Sequence, residues 1–304
     1  ATQVKNSNKH HLNPDVYTMW KAMASDTYDT EYNESIWEAE FIGTRDDGSY
    51  TAGRIGNVIG NIQKGTANPG NGYAYGFYAP TLILWDLFDE KDKRRDLSIA
   101  PYQINAKEEK VEWTAKQIVQ RSCGKFRREW ESAATKHKNY TPENYPLLRY
   151  ADVLLMLAEA ENEANQGPTT SAYEAINEVR ERAGYKTGED RSKNVDGGQA
   201  YKNNPYCSGK GGGHSSEGAI YWEENTYYES NNIEQETTAS TKTTMKLNSV
   251  ADVYNSTVDT PIYNELGCTS NADKMMCFLL NERTRELCGE LQRWEDLART
   301  KTLD

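Results

Sequence analysis

The fold is decided by residues 145–163, which read YPLLRYADVLLMLAEAENE. Apolar side chains recur in this stretch at helical spacing, so they would form a broad stripe along one side of a helix. The members of this stripe are Leu147, Tyr150, Ala151, Leu154, Leu155 and Ala158. Gly167 and Pro168 follow shortly afterwards, and such a pair is typical of the end of a helix. The stretch therefore predicts one long amphipathic helix.

A second helix is predicted directly after this turn. Ser171 would begin it, Glu174 would complete a capping box, and Gly184 would end it. Two helices joined by a short turn form an antiparallel hairpin of the tetratricopeptide kind. Residues 270–299 predict a further helix, capped by Ser270. Its apolar stripe would comprise Met276, Leu280, Leu287, Leu291, Trp294 and Ala298.

The remaining chain predicts one strand and two long loops. Residues 35–42 alternate between apolar and polar side chains, which is typical of a strand. Residues 43–79 are rich in Gly, Asn and Tyr and predict a loop. Residues 185–269 are polar and contain the run Gly-Lys-Gly-Gly-Gly at 209–213. A loop of that length is uncommon in a compact domain unless it has a function or is disordered.

Composition narrows the class of ligand. The net charge of −11 argues against nucleic acid and against docking on anionic lipid, since both need clustered Lys and Arg. The 20 Tyr and 7 Trp residues suit half-exposed binding surfaces, because their rings combine an apolar face with a polar tip. A neutral ligand such as a glycan fits this charge but is not required by it. No apolar run approaches the ~18 residues of a membrane span.

The five cysteines leave the redox compartment open. No CxxC motif occurs, and Cys277 and Cys288 fall in a predicted helix, where they are expected to be free thiols. Cys207 and Cys268 are possible partners of a disulfide between loops.

Motifs for catalysis or metal binding are absent from the sequence. The four His residues lack metal-ligand spacing, and no GxSxG motif occurs. With 46 acidic residues, a pair suited to glycoside hydrolysis carries little weight. Carboxylates that could hold Ca²⁺ are those of Asp46, Asp47, Asp89 and Asp92. The sequence implies no cofactor.

Five segments together resemble the SusD/RagB family of nutrient-binding proteins. Residues 145–156 resemble its core helix, followed by Ala-Glu-Ala at 158–160 and AINEVRERAG at 175–184. NERTREL at 281–287 and ELQRWEDL at 290–297 resemble its second hallmark. The order of the motifs matches the family as well.

The resemblance implies a mainly α fold, a tetratricopeptide-like helical scaffold with long irregular loops and a few short strands. It implies that residues 1–304 form one domain, the C-terminal portion of the family without its N-terminal half, and that residues 185–269 are a long loop insertion. The family's hallmark residues are expected to be structural. Ion pairs between helices would involve Arg149, Arg180, Glu282, Arg283, Arg285, Glu286 and Arg293, with i,i+3 pairs Arg149–Asp152 and Arg283–Glu286.

By the same resemblance, the protein is expected to bind glycans without catalysis at the outer-membrane surface. It would be held there by a lipid anchor outside this chain and would deliver its ligand to a SusC-like TonB-dependent transporter. A peptide ligand, as in RagB-like relatives, is the first alternative, and a secreted glycoside hydrolase is the second.

Two aromatic loops are the candidate binding surface, because sugars stack on aromatic rings and bond to polar side chains. The loop at 43–79 is favoured, since ligand-contacting aromatics in the resembled family often follow such a strand; loop packing or contact with the transporter is the alternative. The candidate ligand-binding residues are Tyr50, Arg54, Asn57, Tyr73, Tyr75 and Tyr78 from this loop, with Tyr221 and Trp222 from the insertion.

Overall fold

The computed structural model describes residues 1–42, 52–65, 72–81, 84–85, 87–88, 92–113, 115–132, 136–184, 246–249 and 267–302. The helices in these ranges are α1 Thr2–Asn6, α2 Thr18–Ala24, α3 Ile55–Val58, α4 Lys93–Ser98, α5 Tyr150–Asn165, α6 Thr170–Ala183, α7 Asn271–Glu286 and α8 Arg293–Thr300. The strands are β1 Ser35–Ala39, β2 Tyr102–Ile104, β3 Lys110–Glu112 and β4 Tyr145–Arg149. Short 3-10 segments span Ala115–Gln120 and Arg128–Trp130. The mainly helical architecture with few short strands is as predicted.

The main core lies where α5, α6 and α7 pack together. Leu154 and Leu155 of α5 meet Ile176 and Val179 of α6, and all four side chains are fully buried. Phe278 of α7 closes the cluster from the other side. Burying one such side chain contributes about 1.5–3 kcal/mol, so this cluster dominates the stability of the hairpin. The predicted helix pair is confirmed.

The predicted start of the first helix was wrong. Tyr145–Arg149 forms β4, which pairs antiparallel with β1, and the helix begins only at Tyr150. Pro146 has no N–H and disfavours the helical conformation of the residue before it, so an extended conformation is the better local solution. Leu147 therefore stays 42% exposed instead of joining the apolar stripe.

The predicted start of α6 was also inaccurate, whereas its predicted end at Gly184 is confirmed, since the helix stops at Ala183. Thr169, not Ser171, caps the helix, and its hydroxyl accepts a hydrogen bond from the Ala172 N–H at 3.2 Å. Gly184 follows the last turn in an extended conformation, with φ of −111°, and not in the left-handed one expected of a glycine stop.

The last predicted helix is divided into two. Ser270 does cap α7 in a capping box with Asp273, but α7 ends at Glu286 and α8 starts at Arg293. Between them Gly289 adopts φ of +80°, and a Cβ there would lie 2.5 Å from the Cys123 sulfur. The break turns Leu291 and Trp294 outward, and Trp294 is 67% exposed. The single continuous stripe was therefore wrong.

Buried ion pairs join the helices. Glu282 of α7 accepts hydrogen bonds from Arg94 of α4 at 2.6 Å, from Arg180 of α6 at 2.8 Å and from Arg285 at 2.8 Å. All of these side chains are at least 98% buried. Removing one partner of such a pair leaves a buried charge and costs about 3–5 kcal/mol. The predicted ion pairs between helices are confirmed for Arg180 and Glu282. Arg285 instead pairs within its own helix, and Arg293 donates to the Leu280 carbonyl at 3.0 Å.

A second group of ion pairs surrounds Arg149. Its guanidinium donates to Glu34 before β1 at 3.2 Å, to Glu286 at 2.7 Å and to Glu290 at 2.8 Å. Asp152 instead pairs with Arg283 at 2.5 Å. The predicted i,i+3 pairs within single helices are therefore wrong, because these side chains point into the core and meet partners from other elements.

The cysteines differ from the expectation. Cys268 and Cys277 are joined in a disulfide, so Cys277 is not a free thiol. Cys123 and Cys288 are free, and Cys207 lies outside the described residues. Within the ranges given above, no helix is both long and apolar enough to cross a bilayer.

Candidate functional site

An exposed stack of aromatic rings is the most distinctive surface of the described chain. Tyr73 and Tyr75 have ring centroids 6.3 Å apart with planes 13° from parallel, and Tyr75 and Phe77 have centroids 5.4 Å apart at 9°. We call these three residues the aromatic ladder. Tyr75 is 45% exposed and Phe77 is 68% exposed. Ala74 forms an antiparallel bridge with Gln63, so Tyr73 and Tyr75 on either side of it point to the same face. Gly76, with φ of +61°, then lets the chain turn so that Phe77 stacks on Tyr75.

The backbone of the ladder is held by α3. The Tyr75 N–H donates to the Asn57 carbonyl at 2.8 Å, and the Phe77 N–H donates to the Val58 carbonyl at 3.0 Å. The Asn57 side chain is fully buried, and its amide donates to the Tyr73 carbonyl at 2.7 Å. Asn57 is therefore a positioning residue, and its burial leaves no part of it available to a ligand.

Arg128 also holds the backbone of the ladder in place. Its buried guanidinium donates to the carbonyls of Tyr73 at 2.8 Å, Lys138 at 3.0 Å and Tyr140 at 3.0 Å. The same group is ion-paired with Glu131 at 2.7 Å. One side chain thus links the ladder to the segment at 137–140, because a guanidinium offers five donors in a rigid plane.

Two glycines permit this close packing. Gly72 has φ of +75°, and a Cβ there would lie 2.3 Å from Nη1 of Arg128. Gly56 in α3 lies against the buried carboxyl of Glu143, and a Cβ would be 2.0 Å from Oε2. Burial and then the charge of Glu131 raise the pKa of Glu143 to about 8. Glu143 is therefore mostly protonated at neutral pH.

Two cations lie at the ladder. The ammonium of Lys138 is 5.4 Å from the centroid of the Tyr73 ring. The Arg54 guanidinium donates to the side-chain oxygen of Asn57 at 2.8 Å. Both side chains belong to exposed residues.

The predicted site residues fall into three groups. Arg54, Asn57, Tyr73 and Tyr75 are brought together at the ladder. Tyr78 lies apart, in the lining of a cavity of about 520 Å³ that also includes Leu84, Leu287 and Trp294. Residues outside the described ranges are Tyr50, Tyr221 and Trp222.

The list of candidates missed two residues at the ladder. Phe77 completes the stack, and the alternation of aromatic residues at 73, 75 and 77 could have identified it. Lys138 is far away in the sequence, and no local pattern links it to Tyr73.

The buried carboxylate of Glu286 is arranged for structure. Burial alone would raise the pKa of Glu286, but Arg182, Arg149 and Arg94 lower it to about 2. A permanently ionised carboxylate enclosed by guanidinium groups cannot act as a general acid near neutral pH.

Metal binding has no support in the described part of the chain, where no group of three or more His, Cys, Asp or Glu side chains could hold an ion. Asp92 caps α4 and is ion-paired with Arg94 at 2.7 Å. The other acidic residues of the suggested Ca²⁺ site, Asp46, Asp47 and Asp89, lie outside the described residues.

The free thiols are not set up for reaction. Cys123 and Cys288 both line the cavity beside Tyr78. Burial raises the pKa of Cys123 and brings that of Cys288 to about 12. Both thiols stay protonated at neutral pH, and the thiol is a much weaker nucleophile than the thiolate.

Comparison with solved structures gives the fold. A SusD homolog from Bacteroides thetaiotaomicron superposes on this chain with a TM-score of 0.62 and 22% sequence identity. The superposition covers 97% of this chain and 46% of the homolog. The surface glycan-binding protein A of the same species gives a TM-score of 0.52 at 15% identity, covering 99% of this chain and 48% of that protein. The same protein in complex with laminarihexaose gives 0.51.

Sequence comparison gives the family. A curated relative, SusD-like protein P2 of Formosa agariphila, is 26% identical over 171 residues, which is 54% of this chain and 33% of the relative. The chain thus spans about half the length of the solved relatives and a third of the length of the Formosa agariphila relative. The sequence model of the SusD family matches residues 115–304, well over half of the chain. The chain therefore belongs to the SusD family.

Proposed function

We propose that this chain binds glycans at the bacterial cell surface without chemical change and delivers them to a SusC-like TonB-dependent transporter. The observation that carries the proposal is the aromatic ladder, whose exposed rings are held on a rigid backbone by α3 and Arg128. Sugar rings present apolar C–H faces, and preorganised aromatic surfaces bind them at little entropic cost.

Two further observations support a binding protein over an enzyme. A protein of the same fold, surface glycan-binding protein A, has been solved with laminarihexaose. The buried carboxylates Glu282 and Glu286 are committed to guanidinium groups. Membership of the SusD family supports the outer-membrane location, the lipid anchor outside this chain and the transporter partner. The order of the motifs supports assignment of the chain to the family's C-terminal portion.

The test is affinity electrophoresis of the purified chain through gels containing single polysaccharides, with an assay for newly formed reducing ends. We expect retardation by at least one glycan, loss of retardation in Tyr75→Ala, and no release of reducing ends. The matched control is Trp37→Ala, which removes a 66% exposed aromatic residue outside the ladder. Capture of peptides but no glycan would favour the peptide-binding alternative, and release of reducing ends would favour the hydrolase.

A further inference from the structure

The two exposed cations at the ladder differ from the buried arginines of this acidic protein. Buried arginines such as Arg94, Arg149 and Arg180 are each bound to carboxylates. Arg54 and Lys138 form no ion pair with any residue in the described ranges. Their side-chain contacts are neutral, the Asn57 amide for one and the Tyr73 ring for the other.

The carboxylates near the ladder do not offset these two charges. Glu131 is fully engaged by Arg128, with both oxygens within 3.0 Å of the guanidinium. Glu143 is buried and mostly protonated at neutral pH, because burial raises its pKa to about 8. Counted over the described residues, a local positive charge therefore remains here on a protein whose net charge is −11.

The geometry matches a sugar that carries an anionic group. When a pyranose ring stacks on an aromatic face, the substituents at its edge project beyond that face. Lys138 lies over the Tyr73 ring, so a sugar would stack on the more exposed rings of Tyr75 and Phe77 and direct a carboxylate or sulfate at its edge towards the two cations. Guanidinium binds such planar or tetrahedral anions through paired hydrogen bonds. Asn57 links both parts, because its side-chain oxygen holds Arg54 and its amide holds the Tyr73 carbonyl.

We infer that the aromatic ladder selects acidic glycans, those that carry carboxylate or sulfate groups, with Arg54 and Lys138 as the specificity-determining residues. This inference rests on the proposed glycan-binding function and names the ligand class of the same site. The charges of Arg54 and Lys138 supply selectivity, while the stacked rings supply the contact area.

The test compares glycans that differ only in charge. Polygalacturonate is paired with its methyl ester, and κ-carrageenan is paired with its desulfated form, so that the two arms separate carboxylate from sulfate. We expect tighter binding to the charged member of at least one pair. That preference should decline as NaCl is raised from about 50 to about 500 mM, because salt screens exposed charges.

Variants assign the preference to the two cations. The double variant Arg54→Gln/Lys138→Ala should lower the ratio of affinities for charged over uncharged glycan by about tenfold, as expected for two exposed ion pairs. The control Lys9→Ala, which removes an exposed cation in the segment after α1, should leave that ratio unchanged.

Equal or weaker binding of the charged members would overturn the inference while leaving the proposed function in place. So would a charge preference that the double variant retains. Failure to bind any member of either pair, together with failure throughout the wider polysaccharide panel, would instead remove the proposed function itself.

Discussion

The helical scaffold and the aromatic ladder differ in the groups that they bury: the scaffold buries charged side chains, and the ladder exposes aromatic ones. In the scaffold, carboxylates such as Glu282 and Glu286 are buried and satisfied by arginines from several elements. In the ladder, aromatic rings are exposed, and two cations there form no ion pair with any described residue. The side chains of the family motifs are thus bound to one another in the core, and we propose that the ligand binds instead at the loop that the scaffold holds.

The largest effect should come from breaking the scaffold. Glu286→Ala removes a buried acceptor shared by Arg149 and Arg182, which leaves Glu34 and Glu290 to offset these charges, and it should lower the free energy of unfolding by about 3–5 kcal/mol. Urea unfolding measures this change. Glu181→Ala, which removes an exposed carboxylate from α6, should stay within about 0.5 kcal/mol of the parent. Equal effects of the two substitutions would show that the buried ion pairs do not stabilise the fold.

A smaller effect should come from the residue that joins the two regions. Arg128→Lys keeps the charge but loses most of the donors to the carbonyls of Tyr73, Lys138 and Tyr140. We expect a loss of about 2–3 kcal/mol of stability, from unsatisfied buried carbonyls, together with weaker glycan binding. Calorimetry and urea unfolding measure both. Unchanged affinity in a destabilised variant would show that Arg128 does not position the ladder for binding.

The sequence predicted the scaffold better than the ladder for a physical reason. Helical spacing identifies Leu154, Leu155 and Ile176 as core because a helix repeats every few residues, and local caps such as Ser270 mark its start. The ladder depends on contacts over long separations, such as Arg128 to Tyr73 and Lys138 to the same ring. No periodicity encodes such pairs. The strand at Tyr145–Arg149 was missed likewise, since its partner β1 lies about a hundred residues earlier.

A pH-dependent effect should distinguish the buried acid below the ladder from those of the scaffold. The folded-state pKa of Glu143, about 8, lies above its ordinary value of 4.5. Its contribution to stability is therefore complete below about pH 4.5 and is lost as pH rises towards 8. As pH is raised from 5 to 8, the free energy of unfolding of Glu143→Gln should therefore increase by about 1–3 kcal/mol relative to that of the parent. Thermal unfolding at both values measures the gain, and Glu174→Gln serves as the exposed control.

The contribution of Glu286 to stability depends on pH in the opposite direction. Its folded-state pKa of about 2 lies below the ordinary value, so its contribution is present above about pH 4.5 and is lost as pH falls towards 2. A Glu143→Gln variant whose stability relative to the parent is the same at pH 5 and pH 8 would contradict the protonated state assigned to this carboxyl.

The smallest effect should come from the edge of the scaffold. Leu147→Ser changes a side chain that β4 turns outward, and the expected change in unfolding free energy is below about 0.5 kcal/mol. Leu154→Ala, at a fully buried position of α5, should cost about 2–5 kcal/mol. A comparable loss at Leu147 would favour the continuous helix that the sequence predicted.

The central claim is that the ladder binds the ligand and the scaffold only holds it. Isothermal titration calorimetry of the double variant Tyr75→Ala/Phe77→Ala with a glycan that the parent binds tests this claim most directly, with unfolding measured in parallel. We predict at least a tenfold loss of affinity, since each aromatic contact contributes on the order of 1 kcal/mol, with little change in unfolding. Parent-like affinity in this variant would contradict the account.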